Sequence, residues 1–257
     1  MKVVILCGGL GTRLREETEF RPKPMVPIGE RPILWHIMKI YAHYGHKEFL
    51  LCLGYKGEAI KDFFRNYQWH TSDVTLRLGA RPQIKYHTQH DEEDWSVTLV
   101  DTGQATMTGG RLARVLRFIE EDTFLLTYGD GLINSDINAE IAFHHAQKKI
   151  VTLTAVQPAS RFGDLDLTGT SVNAFKEKVE KQAAFINGGF FVVNKRIGAY
   201  LTGDDCVLEQ EPLTRLAGEG QVAAFTHTGF WQCMDTYREQ QLLANLWNSG
   251  QAPWKVW

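Results

Sequence analysis

Lys2-Val3-Val4-Ile5-Leu6 runs directly into Cys7-Gly8-Gly9-Leu10-Gly11-Thr12-Arg13 near the start of this 257-residue chain. A short β-branched run that stops at a glycine pair predicts a buried strand feeding a glycine-rich loop. Glycines there let backbone N–H groups approach an anion closely and form a nest. Arg13 adds a cation suited to bidentate phosphate contact. From the glycines alone, an ordinary tight strand-to-helix turn is an equal reading. The dinucleotide fingerprint fails, because Leu14 stands where the third glycine belongs after Gly9 and Gly11. The pattern G-x-x-x-x-G-K-[ST] is absent as well. Any phosphate bound here is held by another scheme.

Outward from that loop, Pro22, Pro24 and Pro27 forbid a regular helix up to about Pro32. Residues 32–44 then carry apolar residues at helical spacing (Ile33, Ile37, Ile40, Tyr41), with Gly45 as the stop signal. The pattern predicts a strand at 48–53, a helix at 59–67, a strand at 97–100, a helix at 110–119 and a strand at 123–127. A helix at 137–147 and a strand at 151–156 follow. Strand and helix in alternation imply right-handed βαβ units and a parallel sheet. Beyond residue 160 the texture changes to short β segments at 165–167, 172–176 and 189–193. Helices near 212–217 and 237–247 come next, with a strand at 222–225 between them. Neither linker nor repeat divides the chain. The expected fold is α/β: one Rossmann-like domain over residues 1–257, its central mixed, mostly parallel sheet flanked by helices. Residues up to about 135 form the nucleotide-like half, and residues from about 136 to 257 the varied half.

Composition narrows the functions. Lys plus Arg number 28 against 30 Asp plus Glu, a net charge of −2, with no basic excess for nucleic acid. Cys7, Cys52, Cys206 and Cys233 are scattered without C-x-x-C or Cys/His ligand spacing, which argues against a disulfide scaffold and a zinc site. The apolar start is too short for a signal peptide, and no stretch is long enough to span a membrane. A soluble cytoplasmic protein is expected.

Other residues invite chemistry. In Arg21-Pro22-Lys23-Pro24-Met25 the prolines stiffen the backbone around Lys23, which suits a preset point charge for polyphosphate or, equally, a solvated lysine. Tyr128-Gly129-Asp130-Gly131 follows an apolar strand, and ligands of parallel sheets bind at the strands' carboxyl ends. Asp130 there suits a hard divalent cation holding phosphate oxygens, although an Asp-Gly turn alone explains the motif. Asp235 precedes the last helix, as its N-cap, as a second metal carboxylate, or as both. His87 and His90 beside Asp91–Asp94 fit a solvated face, and His144-His145 point apart on a helix. No Ser/His/Asp set suggests a covalent nucleophile.

Taken in order, GGLGTRL, RPKPM, PILWH, YGDG, FKEK, INGGFF and GFWQ-x-MDT resemble the sugar-1-phosphate nucleotidyltransferases, the nucleotide-sugar pyrophosphorylases. LVDTG at 99–103, MTGGR at 107–111, TYGDG at 127–131 and APWK near the C-terminus resemble the glucose-1-phosphate cytidylyltransferase branch in particular. The resemblance implies transfer of CMP from CTP to α-D-glucose 1-phosphate with Mg2+ as cofactor, and a homo-oligomer (trimer or hexamer). Its product, CDP-glucose, serves deoxysugar and surface-polysaccharide synthesis, including O-antigen.

Carried over by position, the resemblance assigns nucleotide binding to Leu6, Cys7, Gly8, Gly9, Leu10, Gly11, Thr12, Arg13 and Lys23. Gln104, Thr108, Gly109, Gly110 and Arg111 match the base-contacting segment, with Gly129 beside it. Asp130 and Asp235 match the metal carboxylates, while Tyr128, Gly163, Glu177, Lys178, Asn187 and Gly188 match the sugar-phosphate side. Arg13, Lys23, Asp130, Lys178 and Asp235 are the implied catalytic set. The chain departs from the family in three places. Val179 follows Lys178 where proline is usual, Cys233 replaces a proline, and Cys7 stands where alanine is usual. The last is either a small buried side chain or, beside glycine N–H groups and Arg13, a thiol of lowered pKa. Two rivals stay open: a regulatory subunit that binds nucleotide sugars, and other nucleotides or sugar phosphates in the same reaction. An NAD-dependent oxidoreductase is disfavoured by the failed glycine fingerprint.

Overall fold

Burial runs unbroken from Val3 to Leu6 in the strand Lys2–Leu6 (β1), which places it at the centre of two cores. Val3 and Ile5 join one apolar cluster, Val4 and Leu6 the other, as expected for a strand covered on both faces. Each fully buried Val, Ile or Leu contributes on the order of 1.5–3 kcal/mol. In this computed structural model residues 1–87, 94–158, 164–176 and 184–257 are described.

β1 is flanked by Glu48–Leu53 (β2) and Thr123–Tyr128 (β4), both parallel to it. Ser96–Asp101 (β3) continues the sheet beyond β2, also parallel. On the other side Ile186–Asn194 (β6) lies antiparallel to both β4 and Val151–Val156 (β5). Val222–His227 (β7) closes the far edge parallel to β5. The order is β7-β5-β6-β4-β1-β2-β3, a single α/β domain with the mixed, mostly parallel sheet read from the sequence.

Helix Ile33–His43 (α1) covers one face together with Ile137–Gln147 (α4) and Tyr237–Asn248 (α6). Leu112 and Val115 of Thr108–Val115 (α3) and Leu216 of Glu211–Gly218 (α5) pack on the other face. Gly57–Arg65 (α2) crosses from β2 towards β3.

The boundaries correct the expectations in several places. A helical turn at Arg15–Thr18 interrupts the proline-rich loop, because the prolines begin only at Pro22. α3 starts at Thr108, not 110, because Gly109 and Gly110 are tolerated inside it once a neighbouring loop packs against them. A hairpin of Val74–Arg77 with Gln83–Tyr86 was not anticipated, although Val74, Leu76, Ile84 and Tyr86 alternate onto one face; strands of four residues carry a short pattern, and their side chains are mostly exposed. Gly163, Glu177 and Lys178 lie outside the described residues, as do Val179, His90 and Asp91.

Candidate active site

Leu6 ends β1 in register with Tyr128 at the end of β4. The glycine loop and the Tyr128–Gly131 turn therefore leave the sheet side by side, at its carboxyl edge. Among the described residues, the N–H groups of Gly8, Gly9, Leu10 and Gly11 donate to nothing in the chain. Gly11 sits at φ 63, a left-handed conformation that glycine adopts without strain. A run of undonated amides beside Arg13 is the arrangement an anion requires.

After Asp130 the chain forms a short strand, Gly131–Ile133, which pairs antiparallel with Trp231–Cys233. Its register sets Cys233 opposite Gly131, and the Met234 N–H donates to the Asp130 carbonyl at 2.9 Å. Two carboxylates distant in sequence thus come to one place. Lys23 Nζ donates to Asp130 Oδ2 and to Asp235 Oδ1, both at 2.6 Å. Arg13 Nη1 donates to the other oxygen of Asp235 at 2.6 Å. Lys23 is mostly withdrawn from water, its side chain 13% exposed, whereas that of Arg13 is 76% exposed. Burial, the largest single influence, works against the Lys23 ammonium, but Asp130 and Asp235 outweigh it and hold its pKa above the ordinary value.

Asp235 is not the helix cap. Thr236 caps α6, its hydroxyl accepting from Glu239 N–H, while Glu239 Oε2 accepts from the N–H groups of Asp235 and Thr236, both at 2.8 Å. That capping box fixes the backbone from which the Asp235 side chain reaches Lys23.

A cavity of about 520 Å³ opens beside the network, lined by Leu6 to Arg13, Lys23, Gln104 to Thr108, Arg111 and Tyr128 to Asp130. A second cavity of about 280 Å³ shares Arg13, Tyr128 and Asp130 with it and adds Asn187, Gly188, Trp231 and Asp235. Asn187 and Gly188 reach it because β6 runs antiparallel and begins at the carboxyl edge of its neighbours. Trp231 Nε1 donates to the Gly188 carbonyl at 2.7 Å and holds that wall.

Gly109 and Gly110 are placed elsewhere. Both N–H groups donate to the carbonyl of Cys206, at 2.8 and 3.2 Å, and neither residue lines the cavity. The Arg111 side chain is buried and spent on the protein itself. Its guanidinium donates to the carbonyls of Gly8, Leu53, Gly103 and Gln104 and to the Thr102 hydroxyl, at 2.7–3.2 Å. It ties the glycine loop to β2 and to the turn before α3. A Cβ on Gly8 would lie 2.2 Å from that guanidinium, which explains the glycine.

Cys7 corrects the sharper of its two readings. The side chain is 1% exposed in the sheet core, and burial above all pushes its thiol well up, with Arg111 only partly opposing.

Two carboxylates that brace residues of the site were not singled out in the sequence. Glu239 was legible, since Thr236-x-x-Glu239 is the capping-box pattern. Glu209 had no local signal; its carboxylate accepts from Thr108 and Tyr128 hydroxyls, contacts that only the fold creates.

The chemistry of this donor set fits one hard cation. Two carboxylate oxygens already converge on a single positive nitrogen at equal distances. Among the described residues no group of three or more His, Cys, Asp or Glu forms a complete cage. Two carboxylates with substrate phosphates supplying the remaining ligands is the usual arrangement for Mg2+.

Residues 2–231 match the nucleotidyl transferase family, and the chain belongs to it. Across their full lengths, 52% of residues are identical to a glucose-1-phosphate cytidylyltransferase of Salmonella typhimurium. Identity is 43%, again over both full lengths, to a probable glucose-1-phosphate cytidylyltransferase of Bacillus subtilis. The crystal structure of HddC from Yersinia pseudotuberculosis superposes with a TM-score of 0.70 at 24% identity, covering 96% of this chain and 99% of that one. It supports the fold.

Proposed function

We propose that the protein transfers CMP from CTP to α-D-glucose 1-phosphate, giving CDP-glucose and pyrophosphate. The observation that carries the reaction class is Lys23 bridging Asp130 and Asp235 where the two cavities meet. The choice of CTP and glucose 1-phosphate rests on full-length similarity to relatives bearing that name.

The nucleophile is a phosphate oxygen of the sugar phosphate, which attacks the α-phosphorus of CTP in line while pyrophosphate leaves. It is already anionic, so no general base is needed. The protein's work is to position two repelling anions and to neutralise charge on the transferring phosphorus. The undonated amides of the glycine loop receive the nucleotide phosphates in the larger cavity. Arg13 and Lys23 would turn from the carboxylates to the leaving pyrophosphate, and Asp130 and Asp235 would hold Mg2+. Bound there, Mg2+ supplies charge neutralisation at the phosphate oxygens. Lys178 is assigned by family resemblance to the attacking phosphate, and Asn187 and Gly188 line the sugar side.

Arg13, Lys23, Asp130 and Asp235 together are what a catalytic member needs and a regulatory subunit would lack. Residues up to about 135 form the nucleotide-binding half, and those from about 136 supply sugar-phosphate-binding and oligomerisation elements, with Tyr128 lining both cavities. We place the enzyme in the cytoplasm; among the described residues no helix is long and apolar enough to cross a membrane. Assembly as a homo-oligomer is part of the same reading, supported by Leu76, Leu78 and Ile84 exposed on the hairpin.

Phosphorus NMR of a reaction holding CTP, α-D-glucose 1-phosphate and Mg2+ tests the reaction. The expected spectrum gains the two coupled resonances of CDP-glucose together with pyrophosphate. Release of inorganic phosphate without a diphosphate ester would defeat the assignment.

A further inference from the structure

Glu209 lies on the loop that seals the start of α3, outside both cavities, yet it holds two residues that line them. Thr108 Oγ1 donates to Glu209 Oε2 at 2.6 Å and accepts the Leu208 N–H at 2.9 Å. The Tyr128 hydroxyl donates to Glu209 Oε1. Among the described residues no cation pairs with Glu209, so its charge is available to these two hydroxyls. Hydrogen bonds to a carboxylate are shorter and stronger than neutral ones.

A phenol has a single proton, and an ionised carboxylate only accepts. With its proton committed to Glu209, Tyr128 has only lone pairs to offer in other directions. Asn187 Nδ2, on the wall of the smaller cavity, donates to that oxygen across a long 3.5 Å, which marks the accepting side of the phenol. Asn187 is itself oriented, its Oδ1 accepting the Gly189 N–H at 2.9 Å. The backbone of Gly189 presses on the Tyr128 ring, where a Cβ would meet Cδ2 at 2.5 Å. The ring therefore has a fixed position and the hydroxyl a fixed polarity.

We propose that Glu209 is a positioning residue for sugar recognition: it holds the Tyr128 proton, so that the phenol oxygen accepts a hydroxyl of the bound sugar in the smaller cavity. This rests on the reading that a sugar 1-phosphate occupies that cavity. Sugar hydroxyls that can donate are thereby preferred at one ring position. Without Glu209, Tyr128 is free to donate instead and the preference fades.

The test compares kcat/KM for glucose 1-phosphate with its 2-, 3-, 4- and 6-deoxy analogues in the wild type, Tyr128→Phe, Glu209→Ala and Glu209→Gln. The wild type should disfavour one analogue by about tenfold or more, the effect of a lost hydrogen bond in a buried site. That discrimination should vanish alike in Tyr128→Phe and Glu209→Ala, and persist in Glu209→Gln, which keeps an acceptor oxygen. Melting temperatures check that each variant is folded. A merely structural Glu209 would lower all rates together and leave the ratios unchanged; ratios unchanged in both Tyr128→Phe and Glu209→Ala would overturn the proposal. If the wild type uses a different sugar 1-phosphate, the reading above fails, and the deoxy series of that sugar tests Glu209 in the same way.

Discussion

Asp130 and Asp235 hold the same ammonium, each placing one oxygen 2.6 Å from Lys23 Nζ. In water two carboxylates so placed would repel. Here the repulsion is relieved by a lysine fixed between prolines and by Arg13 at the outer oxygen. The resting site is therefore charge-balanced, and on the proposed function the two carboxylates would hold Mg2+ when a polyphosphate takes up both cations.

Asp130→Asn and Asp235→Asn should each lower kcat by two orders of magnitude or more, about 3 kcal/mol of transition-state stabilisation. Steady-state kinetics at saturating Mg2+ is the check. Near-normal turnover in either variant would make that carboxylate structural.

Lys23→Ala should raise the KM for CTP by about tenfold or more through loss of a charge-assisted phosphate contact. The KM for glucose 1-phosphate should move far less. Initial rates with each substrate varied in turn decide this, and equal shifts for both would contradict the assignment of Lys23 to the nucleotide.

Glu239→Ala removes an acceptor from the Asp235 and Thr236 N–H groups. Losing such a cap should cost about 1 kcal/mol of stability. Because Asp235 is held by it, the Mg2+ concentration for half-maximal activity should rise as well. Urea denaturation reads the first effect and a Mg2+ titration of activity the second; an unchanged titration would uncouple the cap from the site.

Glu140 is buried beneath the sheet, bonded by the Thr154 hydroxyl, and burial raises its carboxyl to about 7 from the ordinary 4.5. The folded state thus keeps a proton that the unfolded state has lost. Its contribution is fully present below pH 4.5 and is lost as pH rises towards 7, roughly 3 kcal/mol in all. Glu140→Gln keeps the acceptor and cannot ionise, so it should gain stability over the wild type at pH 8 and little at pH 4.5. Denaturation midpoints that respond alike to pH in both proteins would refute this.

His36 acts in the opposite sense. Burial lowers its pKa to about 4 from 6.5; Nε2 faces the Ile28 carbonyl and Nδ1 faces Trp254 Nε1, a neutral ring. Its contribution is present above pH 6.5 and is lost as pH falls towards 4. Between pH 6.5 and 4 the wild type should lose more stability than His36→Gln, read from the same denaturation series.

The central sheet was legible because β1, β2 and β4 are apolar runs ended by glycine or polar residues, and α4 and β5 have the bounds that their patterns indicate. The short pairing of Gly131–Ile133 with Trp231–Cys233 was not, since three residues carry no periodicity. Yet that pairing brings Asp235 to Asp130, so from the residues alone each aspartate remained an ordinary turn or cap. Family resemblance joined them, and the register supplies the physical reason. Arg111 shows the converse: its motif was legible, but five acceptors within the protein occupy its side chain, a fate set by long-range packing.

Pyrophosphate release measured with CTP, UTP, dTTP, ATP and GTP, each with α-D-glucose 1-phosphate and Mg2+, tests the central claim most directly. The proposed function predicts the highest kcat/KM for CTP and product only when the sugar phosphate is present. Equal or better turnover with UTP or dTTP, or none with glucose 1-phosphate, would contradict it.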